Sequence, residues 1–378
     1  MERLCHIGRR EKSLNYKIKK MQEKKDIRQL SLEELVLYFE KAGEKKFRAT
    51  QVYEWIWKKG AVSFDEMTNL SKSLRLFLEE NFFFHKAIIT EKHKSKDKTL
   101  KTVFSLFDEA LVEGVLIPTS TRVTACISTQ VGCPLKCVFC ATGSMGYLRN
   151  LSAGEIFDQV VLLSKLAKEA YRLSLTNIVV MGMGEPLLNY KNTLIAIKGI
   201  TSPSGLGMSP DRITLSTAGI PEMIRKLADD KIKFNLSVSL HSANDMKRNR
   251  LMPVNSTHPL DEISKAIEYF HEKTGIRVTF EYLLLGGFND QLTDAQQLAV
   301  FCKKFPVKIN LIEYNETENS EFKRSKPEDV LAFEDFLKNK NMLVQVRRSR
   351  GQDIAAACGQ LVKNIKSGNY DKKLKKND

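Results

Sequence analysis

Three cysteines, Cys133, Cys137 and Cys140, lie in the run Gly-Cys-Pro-Leu-Lys-Cys-Val-Phe-Cys-Ala-Thr-Gly at 132–143. This C-x3-C-x2-C spacing constrains the chain more than any other feature. Three thiolates can hold three irons of a [4Fe-4S] cube and leave the fourth iron open to the amino and carboxylate groups of S-adenosylmethionine. One electron passed into the sulfonium then releases a 5′-deoxyadenosyl radical. A structural zinc site is the alternative for any cysteine cluster. It wants four ligands, usually as two paired units, and no second C-x2-C or H-x3-H follows at the usual distance.

At 378 residues and 42% hydrophobic content the chain can bury one large core and a small accessory domain. No apolar run approaches the roughly 20 residues of a membrane span. The N-terminus carries charge and lacks the apolar stretch of a secretory signal, so a cytoplasmic address is expected. Seven cysteines, three of them cluster ligands, do not form an extracellular framework, and any disulfide is expected to be transient. The formal charge is +15, much of it in the tails. Residues 1–28 carry ten Lys/Arg against four Asp/Glu, and residues 363–378 six against two. A basic body with two basic arms suits a polyanion such as RNA, with a solubilising surface as the alternative. Nothing calls for an obligate interface, so a monomer is expected.

Residues 1–28 read as a disordered basic arm, with Met21 a second possible start. Residues 29–98 read as a helical accessory domain: Ser31 with Glu34 forms a capping box opening a helix over 32–40, and further helices follow near 49–57 and 71–82. Its surface carries Lys45, Lys46, Arg48, Lys58 and Lys59. Residues 99–118 read as a linking β-hairpin with strands at 101–107 and 111–117. Over 119–348, β-rich runs near 122–128, 177–181, 212–216, 235–240, 277–284 and 308–312 alternate with helical patterns. Ser152 with Glu155 and Thr293 with Gln296 are read as capping boxes there. The expected fold is α/β, a partial (β/α)6 TIM-like barrel with that helical domain and a C-terminal extension at 349–378. One more strand, 343–347, precedes the extension.

Functional groups in such barrels collect at the carboxyl ends of strands. Gly184 and Glu185 in Met181-Gly-Met-Gly-Glu-Pro, then Ser216, Ser239, Leu240, His241 and Asn315 all fall at such positions. Taken singly, each also fits an ordinary turn or strand-end residue. The glycine motif lacks both the dinucleotide pattern and a phosphate-loop Lys. Cys302 reads as a small core residue, and Cys5 receives no role. Cys126, on the strand leading into the cluster motif, and Cys358, in the small-residue loop Gly-Gln-Asp-Ile-Ala-Ala-Ala-Cys-Gly-Gln-Leu at 351–361, are equally compatible with burial or function.

Together these residues resemble the radical-SAM RNA methyltransferases of the RlmN/Cfr family, and more closely the RlmN branch. The resemblance spans about 30–361 and includes Lys-Phe-Arg-Ala-Thr-Gln at 46–51, Phe-Asp-Glu-Met-Thr at 64–68, Cys-Ile-Ser-Thr-Gln-Val-Gly-Cys at 126–133, Gly-Met-Gly-Glu-Pro-Leu at 182–187 and Ser-Leu-His at 239–241. It implies methylation of carbon 2 of an adenosine in 23S rRNA and tRNA, with two S-adenosylmethionine molecules per turnover and an electron donor such as flavodoxin or ferredoxin. It further implies that Cys133, Cys137 and Cys140 bind the cluster, and that Gly184, Glu185, Ser216, Ser239, Leu240, His241 and Asn315 contact S-adenosylmethionine. Cys358 would be S-methylated, Cys126 would be its transient disulfide partner, and Glu113 a proton acceptor.

Carbon 2 of adenine lies between two ring nitrogens and is too electron-poor to attack a sulfonium methyl. A carbon radical can add to it instead. Methylation at carbon 8, as in the Cfr branch, and a non-catalytic metal-stapled RNA-binding module are the competing readings. Pro186, after Gly-Glu, looks more like the carbon-2 branch.

Overall fold

The structure is a computed structural model that describes residues 24–316 and 321–361. The basic tail at 363–378, most of the N-terminal arm, Met21 and Cys5 lie outside the described residues. A ten-stranded sheet forms the centre, and its strands are ordered in space as they are in sequence. They are β1 Ile88–Lys94, β2 Leu100–Ser105, β3 Leu111–Pro118, β4 Val123–Cys126, β5 Asn177–Val180, β6 Ile213–Thr217, β7 Asn235–Ser239, β8 Val278–Leu284, β9 Val307–Glu313 and β10 Leu343–Arg347. From β4 to β10 every neighbouring pair is parallel. From β1 to β4 every pair is antiparallel.

The parallel strands follow from sequence in the usual way. Runs such as Asn-Ile-Val-Val and Ile-Thr-Leu-Ser-Thr are rich in β-branched residues that pack well on a covered sheet. A chain leaving one parallel strand must cross over to start the next, and the helices Ala153–Tyr171, Tyr190–Thr201, Pro221–Asp229, Leu260–Thr274, Leu292–Cys302 and Pro327–Asn339 make those crossings. The first opens on the expected box: Ser152 Oγ accepts from the Glu155 amide at 3.2 Å, and the Glu155 carboxylate accepts from the Ser152 amide at 2.8 Å. The result is the expected partial barrel.

Four expectations change. Lys25–Asp26 pairs with Phe82–Phe83 as a short strand, so the last residues of the arm expected at 1–28 are part of the fold. The hairpin at 99–118 is no separate linker, because β3 pairs with β4 and joins the main sheet. A third antiparallel strand, β1, lies within the span assigned to the helical domain; its largely exposed residues gave no alternating signal. The helix expected from Thr293 begins at Leu292 with Gln291 as N-cap, and the Asp294 carboxylate accepts from the Gln291 amide at 3.4 Å, so the acidic residue at the third helical position sets the start.

The helical module, Leu32–Lys41, Lys46–Trp57 and Lys72–Asn81, buries Leu35, Phe39, Val52, Ile56, Leu74 and Leu78. It docks on the barrel through Trp57, whose ring meets Phe157 edge-on at 4.9 Å. The seam is polar as well. Arg28, almost fully buried, donates Nη1 to Asp158 at 2.7 Å, Nε and Nη2 to Asp26 at 3.2 and 3.1 Å, and Nη2 to the His85 carbonyl at 2.7 Å. Gly154 leaves room for it: a Cβ there would stand 2.2 Å from Nε.

Removing the cation leaves two buried carboxylates without their counter-charge. Arg28→Met is expected to cost about 3–5 kcal/mol in urea unfolding. A loss below about 1 kcal/mol, the range of an exposed ion pair, would show that this seam does not carry the docking.

Candidate active site

Parallel pairing brings the carboxyl ends of β4 to β10 to one edge of the sheet, and there they surround a cavity of about 280 Å³. Cys126, Cys133, Cys137, Cys140, Gly184, Glu185, Ser216, Ser239, His241 and Cys358 all line it. Residues separated by more than two hundred positions thus face one space.

The cysteine loop is held at both ends. Gln130–Gly132 pairs with Tyr147–Asn150, and the Cys133 amide donates to the Gly146 carbonyl at 2.9 Å. Gly132, at φ +75, sits so close to that carbonyl that a Cβ would stand 1.9 Å from its oxygen, and only glycine fits. The Val138 amide donates to Leu251 and the Ala141 amide to Gly359, which ties the cysteine loop to the Cys358 loop.

Burial dominates the chemistry of the thiols. It pushes Cys133 up to about 12, and it pushes Cys137 up as well, with repulsion from Cys140 and Cys133 adding to the effect. Arg248 opposes the rise at Cys137. Its buried guanidinium donates to the carbonyls of Leu240 at 3.1 Å, Ala218 at 2.5 Å and Ser239 at 3.2 Å, so it also ties the ends of β6 and β7 together. Such a donor set gives up its protons to a cationic metal centre. Among the described residues no group of three or more His, Cys, Asp or Glu side chains is set to hold a single metal ion. A four-iron cube takes one thiolate per iron and fits three sulfurs spaced round a cavity.

The glycine motif builds the opposite wall. Gly184, at φ +99, faces Gln130, where a Cβ would stand 2.5 Å from the Gln130 Cβ. The buried Glu185 carboxylate accepts from the amides of Leu187 at 3.0 Å and Ala218 at 2.7 Å, while burial raises it to about 7. His241 takes a left-handed φ of 55 and accepts the Leu283 amide on Nδ1 at 3.0 Å. Burial, then Arg248, pushes it down to about 3, so it stays neutral with its proton on Nε2 and can donate but not act as a cation.

Three expected site residues stand off the cavity wall. Leu240 is fully buried, with its amide donating to Glu281 and its carbonyl accepting from Arg248. Asn315 holds Ser349 at 2.9 Å and Gln352 at 2.8 Å, behind the C-terminal loop. Glu113 is fully buried 3.2 Å from Lys101, on the strand face that places Val115 and Ile117 at the cavity.

Two wall residues escaped the sequence reading. Glu281, buried in β8, accepts from Ser237 at 3.1 Å and Asn310 at 2.9 Å and stands 3.4 Å from Arg347 Nη1. Burial works against the Arg347 charge, and Glu281 and Cys358 more than restore it. Burial pushes the Cys126 thiol up to about 12; Cys358 is exposed at the cavity mouth, where desolvation by the surrounding walls still raises it, and Arg347 opposes both. A lone Glu amid Val-Thr-Phe-Tyr-Leu-Leu was the available signal.

Comparison with known proteins identifies the family. Residues 25–83 match the ribosomal RNA large subunit methyltransferase N-terminal domain, and residues 127–299 match the radical SAM superfamily. A probable dual-specificity RNA methyltransferase RlmN of Cytophaga hutchinsonii is 53% identical over 91% of this chain and 94% of that protein. The like-named protein of Thermotoga maritima is 42% identical over 91% and 99%. The crystal structure of a radical SAM methyltransferase from Sphaerobacter thermophilus superposes with a TM-score of 0.84 at 39% identity, covering 89% of this chain and 99% of that one. With three cysteines gathered at one end of a partial barrel and relatives this near over nearly their full length, the chain belongs to the RlmN family of radical SAM RNA methyltransferases.

Proposed function

We propose that this enzyme methylates carbon 2 of an adenosine in 23S rRNA and in tRNA, carrying the new carbon on Cys358 and resolving a protein–RNA adduct with Cys126. One observation carries the reading: both cysteines face the cavity that the three ligand cysteines line, within electrostatic reach of Arg347. Cys133, Cys137 and Cys140 would hold a [4Fe-4S] cluster, and Gly184, Glu185, Ser216, Ser239 and His241 would border S-adenosylmethionine. When bound, these groups supply a methyl cation equivalent, one electron and a 5′-deoxyadenosyl radical.

The Cys358 thiolate accepts the methyl of one S-adenosylmethionine, and a second molecule makes two per turnover. The S-methyl group on Cys358 would lose a hydrogen atom to the deoxyadenosyl radical derived from that second molecule. The sulfur-bound carbon radical would then add to carbon 2, tethering RNA to Cys358 as an adduct radical whose odd electron would return to the cluster. The Cys126 thiolate would then attack the Cys358 sulfur; the S–C bond breaks with its electron pair on the carbon, which takes up a proton to become the new methyl, and the resulting Cys126–Cys358 disulfide would be reopened by an external dithiol reductant. Glu113 takes the ring proton in this scheme, and its place on the face of β3 that carries Val115 and Ile117 to the cavity supports that role. A donor of the flavodoxin or ferredoxin kind supplies electrons.

The target base must leave its stack to enter so enclosed a space. The helical module offers a grip: Lys45, Lys58 and Lys59 are exposed, Phe47 is half-exposed, and Lys59 Nζ stands 3.5 Å over the Trp55 ring. No helix among the described residues is long and apolar enough to cross a membrane.

Cys358→Ala is expected to give no methylated adenosine, whereas Cys126→Ala is expected to leave cells covalently joined to RNA, read as a nuclease-sensitive mass increment. RNA-free and fully active Cys126→Ala protein would remove the resolving role. Nucleoside mass spectrometry should find 2-methyladenosine; 8-methyladenosine would move the enzyme to the Cfr reaction. RNA affinity is expected to fall linearly in log–log plots against salt, and Lys58→Ala and Lys59→Ala are each expected to lower the slope by about 1. A flat salt response, or slopes unchanged by both variants, would place RNA elsewhere.

A further inference from the structure

Cys126 stands on a rigid strand, but Cys358 stands on a loop past the last strand of the sheet. The polar contacts of that loop converge on the turn between β1 and β2. Asp97, in the turn, accepts from Arg350 Nε at 2.9 Å and from the Gly351 amide at 2.9 Å through one carboxylate oxygen, and from the Thr99 amide at 2.9 Å through the other. Arg350 Nη2 returns a hydrogen bond to the Asp97 carbonyl at 2.8 Å and reaches the Pro118 carbonyl at 3.3 Å. The pairing is reciprocal one turn further on. Asp353 accepts from Ser95 Oγ at 2.6 Å and from the Lys96 amide at 3.0 Å.

The loop is also shaped by its own backbone. Gly351, Ala355 and Gly359 take left-handed φ values of 65, 50 and 80. Ala355 is the telling one, since a residue with a Cβ pays of order 1 kcal/mol to stay there and does so only where neighbours fix it. The Ala356 amide closes back on the Gly351 carbonyl at 2.9 Å, and the buried Lys101 ammonium reaches the Ala355 carbonyl at 3.4 Å. At the far end Gly359 accepts the Ala141 amide from the cysteine loop.

We propose that the 95–99 turn is a clasp that sets the position of the Cys358 loop, with Asp97 and Arg350 as positioning residues of the reaction. The inference rests on reading Cys358 as the methyl carrier. In that reading its sulfur meets three partners in one cycle: a methyl donor, an adenine carbon and Cys126. A loop whose base gives two hydrogen bonds to one carboxylate and two more from one guanidinium to backbone carbonyls keeps the sulfur it carries to a narrow arc. A loop freed of them spends deoxyadenosyl radicals without delivering carbon to the base.

The test compares Asp97→Ala, Arg350→Ala and the double variant with wild type, all reconstituted anaerobically as full chains. The ratio of 5′-deoxyadenosine formed to adenosine methylated is expected to rise about tenfold in each, because misplacement of about 1 Å costs up to about a hundredfold in rate. The double variant is expected to be no worse than either single one, and KM for S-adenosylmethionine and the visible spectrum of the cluster should stay at wild-type values. Asp97→Asn, which keeps the turn's bond to Thr99 but loses the charge facing Arg350, should show a smaller rise and serves if alanine unsettles the hairpin. Hydrogen exchange should speed at residues 351–359 and not in β4 to β10. Wild-type ratios in all variants, or exchange that speeds throughout the sheet, would overturn the clasp. Wild-type protein whose Cys358 peptide never gains a methyl would overturn the carrier reading instead, while loop exchange still reports on the clasp.

Discussion

Parallel register from β4 to β10 is the constraint on which the rest depends. Side chains at the carboxyl ends of neighbouring parallel strands must fall on one edge, so Cys126, Glu185, Ser216, Ser239 and Arg347 meet without any direct sequence relation. The antiparallel strands β1 to β3 do a different job. They extend the sheet past β4 and end in the turn that grips the Cys358 loop. A sheet closed on both sides would have no such free corner to hold a loop over the barrel mouth.

Desolvation sets the electrostatics of the mouth. Desolvated thiols keep their protons unless a positive charge draws them off, and the fold supplies Arg248 beside Cys137 and Arg347 beside the buried Cys126 and the exposed Cys358. Each arginine is itself fixed, Arg248 by backbone carbonyls and Arg347 by Glu281. The same burial keeps His241 neutral, and in the proposed reaction it would shield a carbon radical from quenching. A site for radical chemistry and a site that tunes several thiols turn out to make the same physical demand.

Much of this was legible in the chain. The cysteine spacing gave the cluster reading, the strand runs gave the barrel, and the boxes at Ser31 and Ser152 are where they were expected. What escaped has physical causes. Lys25–Asp26 reads as solvated charge because the partners that bury Asp26 and Arg28 lie 59 and 130 residues away, at His85 and Asp158. Strand β1 has exposed residues on both faces and so lacks a period of two. Glu281 and Arg347 answer each other across 66 residues, and neither position is marked without its partner. The clasp is the same case at 253 residues, between Asp97 and Arg350.

In the proposed reaction the carbon given to RNA is first a methyl on Cys358 and then loses one hydrogen atom within this cavity. Turnover with S-adenosylmethionine bearing a trideuterated methyl tests it directly by mass spectrometry of both products. Carriage on Cys358 should put one deuterium into 5′-deoxyadenosine and leave two of the three in the methyladenosine. Methyladenosine with all three deuteriums, alongside unlabelled 5′-deoxyadenosine, would contradict it.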